Sequence, residues 1–116
     1  MAFLKANPGG RFKGKNPTGS LDALTANWQD HEIVYVGKAD QLRRRIRQFA
    51  DFGAGKPIGH WGGRLIWQLA EPDQQRIAWE ETPDRVPLEV EADMIAMFRR
   101  EYGKPPFANN PHLFGR

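Results

Sequence analysis

Glu91 stands among apolar residues, and its position raises the first chemical question about this chain. Leu88, Met94, Ile95, Phe98 and Tyr102 recur at helical spacing between Leu88 and Tyr102. At about 100° per residue they line one stripe, with Glu91 at its middle. Glu89 and Asp93 fall on the opposite side. A carboxylate in an apolar setting needs a cation, and either a metal ion or an arginine would serve. The first is a functional site and the second a structural ion pair. Helix pattern alone does not separate them.

A second group lies upstream. Leu42 to Gln48 reads LRRRIRQ, with Lys38 shortly before it. On a helix, Leu42, Ile46 and Phe49 form the apolar stripe, and of the four arginines only Arg45 falls within about 60° of it. A planar guanidinium there would clamp a phosphate with two parallel donors, or simply border the core with its stem packed. Arg44 points directly away and reads as a solvated face. Tyr35 is either a strand aromatic or a proton-handling phenol. A phenol with a pKa near 10 is a poor base at neutral pH, so that role needs cations such as Lys38 and Arg45 close by.

Three more positions carry weaker signals. His60, in GHWGG, would relay a proton, contact phosphate, or pack against Trp61. Arg64 and Lys56 read as phosphate-backbone contacts or as plain surface charge. Asn109 would orient a site through its amide, or cap its own turn beside Asn110 and Pro111.

The elements that must hold these residues follow from pattern. Asn7 to Gly19 is rich in Gly, Pro and Lys and reads as loop, with room for a short strand around Arg11 to Lys13. Leu21 to Trp28 has helical spacing. Ile33 to Val36 is β-branched and aromatic, predicts a buried strand, and stops at Gly37. Asp40 suits the N-cap of a helix running to about Phe52. Phe52 to Gly63 reads as a glycine-rich loop. Leu65, Trp67 and Leu69 alternate, which predicts a half-buried strand from Arg64 to Ala70, a turn at Glu71 to Gln75, and a second strand around Arg76 to Glu80. Pro83 and Pro87 bracket a linker into the helix that bears Glu91, and Gly103 lies just past its end. PPFANNP reads as an extended, turn-rich tail.

Composition limits the chemistry. At 116 residues, with 40% hydrophobic and 27% charged side chains, the chain fits one soluble domain spanning 1–116. The absence of cysteine excludes disulfides, cysteine-ligated zinc and thiol catalysis. No apolar run has the length of a membrane span or signal-peptide core, so no membrane partner and a cytoplasmic location are expected. The net charge of +3 and pI near 9.5 permit an anionic partner.

Taken together, Tyr35-Val36-Gly37-Lys38-Ala39 with Leu42, Arg45 and Ile46 resembles the second motif and first helix of the GIY-YIG nuclease family. Glu91-Ala92-Asp93-Met94-Ile95 resembles that family's metal-binding helix, and Asn109 in PPFAN its closing Pro-x-x-Asn element. The resemblance covers most of the chain from Ile33 to Asn109. It implies an α+β fold, with a small central antiparallel three-stranded sheet flanked by helices and an atypical segment at 1–30. It also implies metal-dependent hydrolysis of DNA phosphodiesters. Glu91 would hold one Mg²⁺ or Mn²⁺, a hard cation that keeps several waters. Arg45 would clamp the scissile phosphate, Tyr35 would position or deprotonate water, and His60 would assist. Gly37, Lys38, Arg64 and Asn109 would contact substrate.

The family's first motif has no clear counterpart. The nearest candidate is Gly10-Arg11-Phe12, far upstream of Tyr35 and lacking a hydroxyl. Its work would pass to Tyr35, His60 or Lys38, or the domain would bind nucleic acid or a protein partner without cutting. No separate DNA-reading module is visible, so the chain would have low intrinsic specificity or act beside a protein partner that supplies it; RNA is open as a substrate.

Overall fold

Four α-helices are defined among the residues described by this computed structural model, which are 2–11, 13–58, 60–71 and 74–110. They are α1 (Leu21–Asn27), α2 (Leu42–Gly53), α3 (Trp61–Ile66) and α4 (Pro87–Tyr102), with a 3-10 turn at Phe107–Asn109. Their ends follow local chemistry. Ser20 caps α1, its side chain accepting from the Ala23 N–H. Pro87 opens α4, where its missing N–H costs nothing. Gly103 closes that helix in the left-handed region at φ 80°, its N–H donating to the Arg99 carbonyl at 2.8 Å. Glu89 in the first turn and Arg99 and Arg100 in the last complement the helix dipole. At α2 the cap position falls to Gln41, which makes no side-chain cap bond, one residue beyond the expected Asp40.

The expected three-stranded sheet is not there. Among the described residues no strand forms; Phe3 and Leu69 are joined by an isolated antiparallel bridge. Arg64 to Ala70, predicted as a strand, begins inside helix α3. The reason lies in an ambiguous pattern. Leu65 and Leu69 alternate with Trp67 at a two-residue period, but together with Ile66 they also satisfy an i, i+1, i+4 helical face, and Leu65, Ile66 and Leu69 are buried together. His60 tips the choice by capping α3, its ring Nδ1 accepting from the Gly63 N–H at 2.8 Å. The second predicted strand, Arg76 to Glu80, is irregular and exposed. Ile33 to Val36 joins no ladder; Ile33 is 46% exposed and Val34 is half-buried, its carbonyl accepting from the Ala108 N–H at 2.7 Å.

The core gathers Leu24 of α1, Leu65, Ile66 and Leu69, and Phe107 with Ala108 of the 3-10 turn. Phe3, Trp28 and Phe107 pack ring on ring at 5.1–6.0 Å. On the other side, Phe49 of α2 meets Trp67 at 5.1 Å, and the indole N–H donates to the Phe49 carbonyl. Gly53 leaves room for that indole, because a Cβ there would overlap its ring.

Buried amides bind the irregular N-terminal segment to this core. Gln68 is 1% exposed and makes three hydrogen bonds: it donates to the Leu4 and Gly19 carbonyls and accepts from the Gly19 N–H. Asn7 accepts from the Gly9 N–H and donates to the Arg64 carbonyl. No described helix is long and apolar enough to cross a membrane.

Replacing Gln68 strands backbone groups of two distant segments. Gln68→Ala is expected to lower unfolding free energy by about 3 kcal/mol, read by chemical denaturation. A loss under about 1 kcal/mol would mean that the amide does not hold the segment in place.

Candidate functional site

Tyr35 is the centre of the site, and glycines make space for it. Its ring folds back over Gly37, where a Cβ would sit 2.6 Å from the ring. A Cβ at buried Gly62 of α3 would overlap the same ring. Gly62 of GHWGG, which the sequence pattern places only in a loop, is therefore a packing requirement of the tyrosine. Gly63 has the same role for His60 and Phe49, both close to where its Cβ would stand.

The backbone beside Tyr35 is fixed from the far end of the chain. The Asn109 side chain accepts from the Val36 N–H and donates to the Val36 carbonyl, both at 2.8 Å. Its amide thus pairs with Val36 as a neighbouring strand would, 73 residues away in sequence.

Arg45 and Glu91 both act on the Tyr35 phenol. Burial raises the Tyr35 pKa above its ordinary 10.0; the Arg45 charge opposes that rise and the Glu91 charge adds to it. The structure therefore brings these three residues into one neighbourhood. Arg45 is half-buried while Arg43, Arg44 and Arg47 are exposed, and its guanidinium donates to Gln48 Oε1 at 3.1 Å. Gln48 was missed in the sequence; its position three residues on, over the same helical face, was the available signal.

Glu91 is less enclosed than its stripe suggested. Leu88, Met94 and Tyr102 are 44–56% exposed, so only Phe98 is buried, with Ile95 and Glu91 half-buried. Among the described residues Glu91 has no ion pair: the two formed are Lys56–Asp51 and Arg85–Asp93. The structural ion pair open to it in the sequence is not formed there.

His60 lies 6.3 Å from the Tyr35 ring and 5.4 Å from Phe49. Burial, helped by the Arg45 charge, lowers its pKa from 6.5 to about 4. With Nδ1 accepting from Gly63, the neutral ring carries its proton on Nε2. It is a donor towards its surroundings and not a base. A contact with the Trp61 side chain lies outside the described residues.

The remaining predicted positions lie apart. Lys38 is exposed and is not among the groups that shift Tyr35. Arg64 turns inward, its Nε donating to the Pro17 carbonyl at 2.9 Å, and burial lowers its pKa. Lys56 pairs with Asp51 at 3.4 Å on the surface. Phe12, proposed to stand in the first motif, lies outside the described residues. Its neighbour Gly10 docks on the C-terminal end of α2, donating to the Phe52 carbonyl at 3.1 Å. Along a helix axis, Phe52 is about 10 Å from Arg45.

Compared with known protein families, with curated proteins and with solved structures, the chain matches none.

Two outcomes test this geometry. The chain has two tyrosines, so Tyr35→Phe isolates the Tyr35 phenolate absorbance in an alkaline titration. Its midpoint is expected above that of free tyrosine, to rise further in Arg45→Ala and to fall in Glu91→Gln; no response to Glu91→Gln would remove that carboxylate from the site. For His60 the folded pKa lies below the unfolded one, so the unfolded chain binds more protons and stability rises with pH. The contribution is complete above about 6.5 and lost as pH falls towards about 4, by up to about 3 kcal/mol. His60→Asn retains a cap acceptor, and the difference between wild-type and variant melting curves should narrow across that window.

Proposed function

We propose that the chain is a divalent-metal-dependent nuclease that hydrolyses DNA phosphodiester bonds. The observation that carries this reading is the convergence of Tyr35, Arg45 and Glu91, three residues of the GIY-YIG-like pattern, around one phenol. They come from three separate segments, and Asn109, the fourth motif residue, holds the backbone next to them.

The donor set suits a hydrated hard cation. Glu91 is half-exposed and has no ion pair, and no cluster of three acidic or histidine ligands forms among the described residues. Mg²⁺ commonly takes one or two carboxylates plus substrate phosphate and keeps its remaining waters. A bound cation would supply positive charge to the phosphate oxygens and acidify water. Arg45, preset by Gln48, binds non-bridging phosphate oxygens with its free N–H groups. Tyr35, with its raised pKa, keeps its proton at neutral pH and donates to water or phosphate. His60 offers Nε2–H as a second donor.

One observation favours a second reading, a module that binds nucleic acid without cutting it. Neither Tyr35 nor His60 accepts a proton at neutral pH in this arrangement.

Supercoiled-plasmid nicking with Mg²⁺ or Mn²⁺ against EDTA separates the two. Under the nuclease reading, Arg45→Ala is expected to slow cleavage by roughly 10²–10³-fold, as loss of a charged transition-state donor does. Glu91→Gln is expected to abolish cleavage while leaving the metal-free melting temperature unchanged. Absence of cleavage by the wild-type protein with either metal, alongside retained DNA binding, would establish the second reading.

A further inference from the structure

The irregular segment from Gln75 to Glu81 is exposed and self-complementary in sequence. No backbone hydrogen bond involves its residues among the described part of the chain. All seven are exposed, Ile77 at 50% and Trp79 at 68%. Yet Arg76-Ile77-Ala78-Trp79-Glu80 has the β-branched and aromatic alternation of a half-buried strand. Unpaired N–H and C=O groups flanked by such side chains are a template for another strand.

Charge identifies the partner. Laid antiparallel on a copy of itself about Ala78, the segment puts Arg76 opposite Glu80 twice, and Ile77 opposite Trp79 twice. One face then holds two Arg76–Glu80 ion pairs and the other an Ile–Trp quartet; Glu81 faces neutral Gln75, so no like charges meet. Such an isologous contact closes after two chains. We propose that two copies of this chain pair through residues 75–81 in this register. The pairing is short, so the dimer is concentration-dependent and not permanent. It stands apart from the proposed nuclease reading, because none of these residues belongs to the candidate site.

Sedimentation velocity of the whole chain from low to high micromolar concentration tests it. A rising dimer fraction is expected for the wild type. Arg76→Glu and Glu80→Arg alone should each weaken dimerisation about tenfold, since each sets like charges opposite one another twice. Mixing the two variants, or combining both substitutions in one chain, should restore the dimer, because complementarity returns. The positions are exposed, and circular dichroism checks that the variants fold. A monomer at every concentration, or a dimer indifferent to the charges at 76 and 80, would overturn the proposal.

Discussion

Backbone groups that have no sheet to join must be satisfied some other way, and much of the structure is organised around that need. A buried amide N–H or carbonyl without a partner costs about 1–3 kcal/mol, so a chain with long irregular stretches needs many substitutes. Here side-chain amides provide them. Gln68 serves Leu4 and Gly19, Asn7 serves Gly9 and the Arg64 carbonyl, and Asn109 serves both polar groups of Val36. Each carries a donor and an acceptor on one rigid plane, the pairing capacity of a residue in a ladder. No buried side-chain polar atom among the described residues lacks a partner. Three amides therefore do locally what a sheet would do collectively.

The same economy shapes the site. Tyr35 can pack between α3 and its own chain only because Gly62 and Gly37 present no Cβ. That close fit desolvates the phenol, and desolvation outweighs the nearby guanidinium in setting its pKa. Burial is the first cause at both rings, raising the Tyr35 pKa and lowering that of His60, and so keeps both neutral at physiological pH. The Arg45 charge lowers both, opposing burial at Tyr35 and adding to it at His60.

How much of this was legible in the sequence differs by element. The helices α1, α2 and α4 were readable from their apolar spacing, and Gly103 marked the stop of α4; the expected cap of α2, Asp40, fell one residue before the observed cap position. Arg45 was separable from its neighbours because a helix assigns each residue an angle. The sheet was misread because Leu65, Ile66, Trp67 and Leu69 fit both periods over so short a run. The deciding contact, His60 to the Gly63 N–H, depends on local geometry that a pattern of apolar residues does not encode. Burial along α4 was misread for a related reason. Periodicity identifies which residues share a face but not whether anything covers it, and here Leu88 and Met94 have no cover. Gly62 and Asn109 act through contacts that depend on the assembled fold. Asn109 was singled out only through its motif.

The placement of Glu91 relative to Tyr35 rests on how α4 is anchored. α2 packs on α3, and α3 on the 3-10 turn, so Arg45, His60 and Asn109 share one packed unit. α4 is held differently. His31 stacks edge-on against Phe98 and Tyr102 at 4.8 and 4.4 Å, and those two rings meet at 4.7 Å. Gln29, two residues before His31, donates to the Pro105 carbonyl just beyond the helix. These contacts secure the C-terminal half of α4, whereas Glu91 lies in its second turn, beside exposed Leu88 and Met94. The carboxylate is thus carried on the less secured end of a helix, within electrostatic reach of Tyr35. A phosphate held by Arg45 and coordinated to a cation held by Glu91 would tie that end to the packed unit, so ligand binding would stabilise the N-terminal half of α4.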